Sequence, residues 1–335
     1  MRSLLCTLAL VTAAVAAPPP PAVTVAGNHL EYRGKALELR GVAVGDPFSA
    51  REGRPLSDYE RIARDWNANA VRISLHPTEW IHRPHVQVLD RLEQEVRAAV
   101  AAGLFVVLDW HTIGWPDGYF EKHPEWDSPD DLYDSRIALA QSFWEAAAQR
   151  FGADRRILFE LWNEPVFHVK EGEDSGGSRW TELKPVFERL IGAIRPHAAN
   201  VVLATGARWA YDLHGIRAAP LADPQAAYAW HIYAGHDDND PARWTAALDD
   251  VDRTHPVLVT EWGFQPGSHE HFGGTAAEFG TPFATRFLQA RNLSWTAWCW
   301  HPEWGPPMLG KDWKTPNVFG AFVRSLLRDA KPTRP

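Results

Sequence analysis

Eight short apolar runs recur along this chain, and most are separated by stretches whose apolar residues repeat at helical spacing. The runs fall at 39–44, 70–75, 104–108, 157–162, 201–204, 226–233, 257–263 and 293–298. They are apolar at odd and even positions alike, as strands covered on both faces must be. Between them, Leu89, Leu92, Val96 and Val100 mark one helix that Gly103 stops. Further helices are expected near 131–150, 180–195, 241–251, 276–291 and 317–328. Ser57-Asp58-Tyr59-Glu60 has the form of a capping box opening another. Parallel strands alternating with helices, with no internal repeat and no second domain, predict an α/β chain folded as a single (β/α)8 TIM barrel over residues 30–330. Residues 30–33 and 35–39, turning at Gly34, predict a hairpin that closes one end. The longest connections, 112–129, 166–178, 262–274 and 299–314, all leave C-terminal strand ends, so they are expected to wall a cleft at the other.

Residues 1–16 combine an early arginine, an apolar stretch and Ala14-Val15-Ala16, the pattern of a secretory signal cleaved after Ala16. A secreted or periplasmic protein is therefore expected, with residues 17–29 as a proline-rich spacer. Of two cysteines only Cys299 lies beyond the signal, which leaves no intrachain disulfide to form in the mature chain. A net charge of −8 argues against nucleic acid or an anionic membrane as partner. No later apolar run reaches the roughly 18 residues of a membrane span. Asp237-Asp238-Asn239-Asp240 and His269-Glu270-His271 keep no metal-ligand spacing, and no glycine-rich phosphate fingerprint is present. The expectation is a monomer with neither metal nor cofactor. The 17 tryptophans suit both sugar stacking and core packing, so their number alone does not choose.

Two of the apolar runs end on glutamate. Residues 157–162 lead into Asn163-Glu164-Pro165, where proline cannot extend a ladder and turns the preceding residue away from helix. The run beginning at Val257 leads into Thr260-Glu261-Trp262-Gly263. Glu164 and Glu261 are thus expected at the tips of strands four and seven, facing the cleft. Glycoside hydrolysis needs such a pair: one carboxyl protonates the departing oxygen, the other attacks or activates water. A single strand-end carboxylate can equally cap a helix or pair with an arginine. Two in matching contexts on one rim favour catalysis.

Trp162-Asn163-Glu164-Pro165 and Thr260-Glu261-Trp262-Gly263 together resemble the signatures of glycoside hydrolase family 5, the cellulase-like retaining β-glycosidases. The resemblance runs from about Leu37 to about Leu327. It implies that Glu164 is the acid/base and Glu261 the nucleophile. Arg72, ending strand two, matches the arginine that keeps the nucleophile ionised. Asn163 matches the residue that binds the sugar 2-hydroxyl. His111, His231 and Tyr233 match the strand-three histidine and the strand-six His-x-Tyr, with Tyr233 donating to the nucleophile and His231 steadying the acid/base. Trp298 matches the platform under the sugar at the cleavage point. One departure is Ala43, where the family commonly carries asparagine after Arg-Gly-Val. Trp115, Trp209, Trp262, Trp300 and Trp304 are left open between subsite and core.

The implied activity is metal-free retaining hydrolysis of a β-1,4-linked poly- or oligosaccharide, first of all as an endo-β-1,4-glucanase. A β-mannanase and an exo-acting or glycolipid-cleaving glycosidase stand beside it. A metal-dependent barrel hydrolase would want His-x-His at the end of strand one, where Val42-Ala43-Val44-Gly45 stands. A non-catalytic carbohydrate-binding barrel would lack a carboxylate or Arg72. The retaining reading expects carboxyl groups about 5–5.5 Å apart. It also expects Arg72 and Tyr233 within about 2.6–3.2 Å of Glu261, and a Glu164 pKa lifted from about 4.3 toward about 6.

Overall fold

The structure, a computed structural model, describes residues 21–49, 54–122, 128–167, 179–269, 271–329 and 331–335. The proposed signal segment, most of the connection after strand four and Glu270 lie outside them. Three short antiparallel strands come first: β1 (Val23–Ala26), β2 (His29–Tyr32) and β3 (Lys35–Leu37). The β2–β3 pair is the expected hairpin. β1 falls in the stretch read as spacer, and it is tied down by four residue pairs to β2 and by Val23 N–H donating to the Arg155 carbonyl.

Eight parallel strands then close into a barrel: β4 (Arg40–Ala43), β5 (Ala70–Leu75), β6 (Phe105–Trp110), β7 (Ile157–Glu160), β8 (Val202–Thr205), β9 (Ala226–Tyr233), β10 (Val257–Gly263) and β11 (Ser294–Ala297). β11 pairs with both β10 and β4, so no sheet edge is left open. Gly41 makes the closure tight, because a Cβ there would lie 1.8 Å from the Ala70 carbonyl oxygen. The main covering helices are His85–Ala101, Ile137–Phe151, Trp180–Ile194, Pro241–Leu248, Ala276–Leu288 and Val318–Arg328. Between β8 and β9 there is only the short turn Ala207–Ala210.

Ser57 does not cap its helix. Its backbone is already helical (φ −62°, ψ −14°), and a side-chain cap needs an extended one. Thr275 does cap its helix: it is extended, its hydroxyl accepts from Glu278 N–H and donates to the Glu278 carboxylate.

The strands' two faces do different jobs. Val71, Ile73, Val106, Leu108, Phe159 and Trp230 face the helices in one continuous apolar layer. Ala70, Phe105, Val107, Leu158, Leu203 and Leu258 point inward and pack on Leu30, Tyr32 and Leu37 of the hairpin. That plug forms the floor. Further along the same inward face, β5, β6, β7 and β9 turn polar at Arg72, Asp109, Glu160 and His231.

Candidate active site

Arg72 is the centre of that polar layer. It follows Ala70 by one alternation on β5 and is fully buried. Burying a guanidinium costs several kcal/mol unless it is paired, and here every branch is used. Nε donates to Glu160 Oε2 at 2.6 Å, and Nη1 to Glu261 Oε1 at 2.6 Å. Nη2 donates to Asn163 Oδ1 at 2.8 Å and Glu160 Oε1 at 3.2 Å, with Asp109 Oδ2 at 3.0 Å.

Glu261 reaches the interior through an irregularity in β10. Val259 pairs with Trp230 and Glu261 with His231, so Thr260 is an extra residue in the ladder. A bulge of this kind breaks the strict in–out alternation. Thr260 and Glu261 therefore both face inward: the Thr260 hydroxyl reaches Glu160, and Glu261 reaches Arg72 and Tyr233. Tyr233 Oη donates to Glu261 Oε2 at 2.5 Å, while Trp262 returns to the helix side.

Glu164 stands beyond β7, where the chain stays extended beside the end of β6. Its N–H donates to the Thr112 carbonyl and its carbonyl accepts from Gly114. Its carboxylate meets His231 Nδ1 at 2.9 Å. One oxygen of Glu164, one of Glu261 and a His231 nitrogen all lie within 4.8 Å of one another. Among the described residues this is the group that could chelate a metal. Both His231 nitrogens are already engaged, however, Nδ1 with Glu164 and Nε2 with Thr260 Oγ1 at 3.0 Å.

The two glutamates are treated differently. Burial lifts the Glu164 carboxyl, and the charge of Glu261 lifts it further against the opposing hydrogen bond from His231. Glu261 is held in place by two donors, Arg72 and Tyr233. Burial disfavours the His231 cation, but Glu261, Glu160 and Glu164 outweigh it and raise its pKa to about 10. Burial likewise pushes Glu160 up, yet Arg72 and His231 bring it down to about 2.

His111 donates or accepts through Nδ1 at Asp109 Oδ2, 2.7 Å away, and burial holds it well below the usual imidazole range. Trp298, just past the end of β11, lies parallel to the His111 ring at 5.2 Å and to Trp304 at 6.3 Å. Its indole N–H donates to the Gly305 carbonyl. Trp262 and Trp300 are core residues, the latter bonded to Asp58, and Trp115 is buried against Phe167. Trp209 is 47% exposed on the rim, its N–H donating to the Pro165 carbonyl beside Glu164.

All eight residues expected at the site, Arg72, His111, Asn163, Glu164, His231, Tyr233, Glu261 and Trp298, thus come together at one barrel end. Arg72 and Tyr233 reach Glu261 at 2.6 and 2.5 Å. Sequence reading missed Glu160, Asp109 and Thr260, as well as His76 with its Asp46 partner. Inward parity would have found the first two, since Leu158 and Glu160, or Val107 and Asp109, share a face. The same parity joins Leu258 to Thr260, and it is Glu261 that the bulge brings inward out of step.

Residues 30–303 match the model of the family described as cellulase (glycosyl hydrolase family 5). Endoglucanase E-5 of Thermobifida fusca is 27% identical over 330 residues, covering 91% of this chain and 63% of its own length. Endoglucanase A of Evansella cellulosilytica is 26% identical over 283 residues, covering 81% of this chain and 52% of its own. The chain therefore spans between about half and two thirds of these relatives. A solved β-glucanase of Saccharophagus degradans in complex with cellotetraose superposes with a TM-score of 0.82 at 28% identity, covering 93% of this chain and 94% of that one. A barrel around a buried arginine with two facing glutamates, matched over most of its length, places the chain in glycosyl hydrolase family 5.

Proposed function

We propose that this protein hydrolyses β-1,4-linked glucan internally, as a retaining endo-β-1,4-glucanase. The observation that carries the reading is the unequal pair of carboxylates. One oxygen of each lies within 4.8 Å of the other, which suits the close approach of a nucleophile and an acid/base. Glu261, gripped by Arg72 and Tyr233, attacks the anomeric carbon. Glu164, lifted by burial and by Glu261, gives its proton to the departing glycosidic oxygen. A covalent glycosyl ester on Glu261 results. Glu164, now ionised, takes a proton from water as that water attacks the same carbon, and the β configuration is restored.

The neighbouring residues fit this sequence. Arg72 fixes the Asn163 carbonyl oxygen, which leaves the amide NH₂ to donate to a sugar hydroxyl. Trp298 offers its face beneath the reacting sugar. The named substrates of similar proteins, endoglucanases and a cellotetraose complex, support glucan over mannan. Export through the N-terminal segment belongs to the same proposal, since a polymer this size is met outside the cell. Among the described residues no helix is long and apolar enough to cross a membrane. The test is a reducing-sugar assay across soluble β-glucans, mannans and xylans. Release from mannan alone would overturn the glucan assignment, and release from none of them the enzymatic one.

A further inference from the structure

Thr260 is the extra residue of the β10 bulge, and its hydroxyl sits between two charged groups. Oγ1 lies 2.8 Å from Glu160 Oε1 and 3.0 Å from His231 Nε2. A hydroxyl has one proton to give. Glu160 is ionised by two bonds from Arg72 and can only accept, so the Thr260 proton goes to it. Thr260 can then only accept from His231, and Nε2 must carry hydrogen. That fixes what Nδ1 can do. With one proton between Nδ1 and Glu164, their 2.9 Å contact is a hydrogen bond whichever side holds it. Without that proton, two acceptors face each other there. The alternative is for the imidazole to move its single hydrogen to Nδ1, which sets Nε2 against the Thr260 oxygen.

We propose that Glu160, acting through the Thr260 hydroxyl, is a positioning residue that locks the catalytic proton onto the Glu164–His231 pair; this rests on the reading of Glu164 as acid/base. The lock makes the protonated pair the resting state. Each cycle then starts with the acid ready, and the proton that Glu164 gives to the leaving group is regained from the hydrolytic water.

The surrounding charges are consistent with this. Glu261 Oε2, 3.7 Å from Nδ1, and Glu160 Oε1, 3.6 Å from Nε2, both favour the proton. Arg72 opposes it but is neutralised by its own carboxylates, Glu160, Glu261 and Asp109. His111 is kept neutral by burial, and the phenols of Tyr133 and Tyr233 are pushed up by burial and by the two glutamates, so neither competes.

The experiment is the pH dependence of kcat/KM on cellotetraose. Thr260→Val removes the hydroxyl at nearly constant shape and leaves the Arg72–Glu160 pair in place. Its alkaline limb should move to lower pH by about one unit, with the acid limb unmoved. Glu160→Gln should move the same limb the same way and further. Thr260→Ser, which restores the hydroxyl, should return it. A Thr260→Val limb that coincides with the parent overturns the proposal. So does a shift in Glu160→Gln alone, because the charge would then act without Thr260, and so does a Thr260→Ser limb that stays low. If Glu160→Gln fails to fold, the valine and serine variants decide. The underlying reading is tested separately with Glu164→Gln on a dinitrophenyl β-cellobioside. An alkaline limb that persists there means that Glu164 is not the titrating acid, whatever Thr260 does.

Discussion

On β7, Leu158 and Glu160 point to the same side of the sheet, one alternation apart. Leu158 lies in the floor among Phe105, Val107, Leu203 and the hairpin residues. Glu160 accepts from Arg72 and Thr260 in a layer of buried charge. Both are entirely buried. Below, burial is favourable by itself, since each buried aliphatic side chain contributes roughly 1.5–3 kcal/mol. Above, burial is unfavourable and is offset only by pairing. The floor can thus hold the barrel closed without help from the rim, and the rim can hold charge out of water only because the floor and helices are rigid around it. Substitutions should separate the two layers.

The largest effect belongs at the top. Glu261→Ala should abolish both turnover and the glycosyl-enzyme intermediate while the protein stays folded. Glu164→Ala should lose the proton-transfer contribution, typically 10²–10⁴-fold, yet still form the intermediate from a dinitrophenyl glycoside. Azide should then give the β-glycosyl azide with the Glu164 variant and the α product with the Glu261 variant. Product anomers read by NMR check this, and reversed products mean that the two roles are reversed.

Arg72→Met should damage both layers' work. Removing one partner of a buried ion pair is worth about 3–5 kcal/mol, and three carboxylates lose their cation together. Chemical denaturation should show that loss alongside a collapse of kcat. Full stability with lost activity would mean that water takes the guanidinium's place.

Leu158→Ala should do the reverse. Its expected destabilisation is about 2–5 kcal/mol, with kcat per folded molecule kept at temperatures below melting. A fall in kcat without a fall in stability would show that the floor sets the height of Glu160 and hence the site itself.

This division also explains what could be read from the residues. Floor and outer layer announce themselves, because apolar runs with strand length and helical spacing carry a repeating signal. Glu164 and Glu261 were legible because each is an acid that closes an apolar run, the first directly before a proline. Glu160 lies in the apolar run that leads to Glu164, where a lone carboxylate looks like a surface residue until its parity is checked against Arg72. Thr260 keeps the inward parity of Leu258, whereas Glu261 faces inward through a register shift between β9 and β10 that only pairing reveals. Ser57 misled for the opposite reason: its residue type suits a cap and its backbone does not.

The smallest effect should come from the rim's exposed edge. Arg208, Trp209 and Ala210 all have left-handed backbone, with φ of 55°, 55° and 59°. Non-glycine residues adopt that conformation at roughly 1–2 kcal/mol each. The Trp209 ring recovers little of this by packing, being 47% exposed. The turn nevertheless holds the Trp209 backbone N–H on the Pro165 carbonyl, next to Glu164, the proposed acid/base. If it stacks on a sugar there, Trp209→Ala should leave the melting temperature unchanged. Hydrolysis of an aryl cellobioside, which has no sugar on that side, should also be unaffected. The rate on cellulose oligomers should fall several-fold, in keeping with about 0.5–1.5 kcal/mol for one aromatic face. Trp209→Gly should go further in one respect only, gaining stability because glycine accepts positive φ freely. An alanine variant that melts early and cleaves oligomers normally would make Trp209 part of the supporting structure, and the exposed rim would then be held by packing as the floor is.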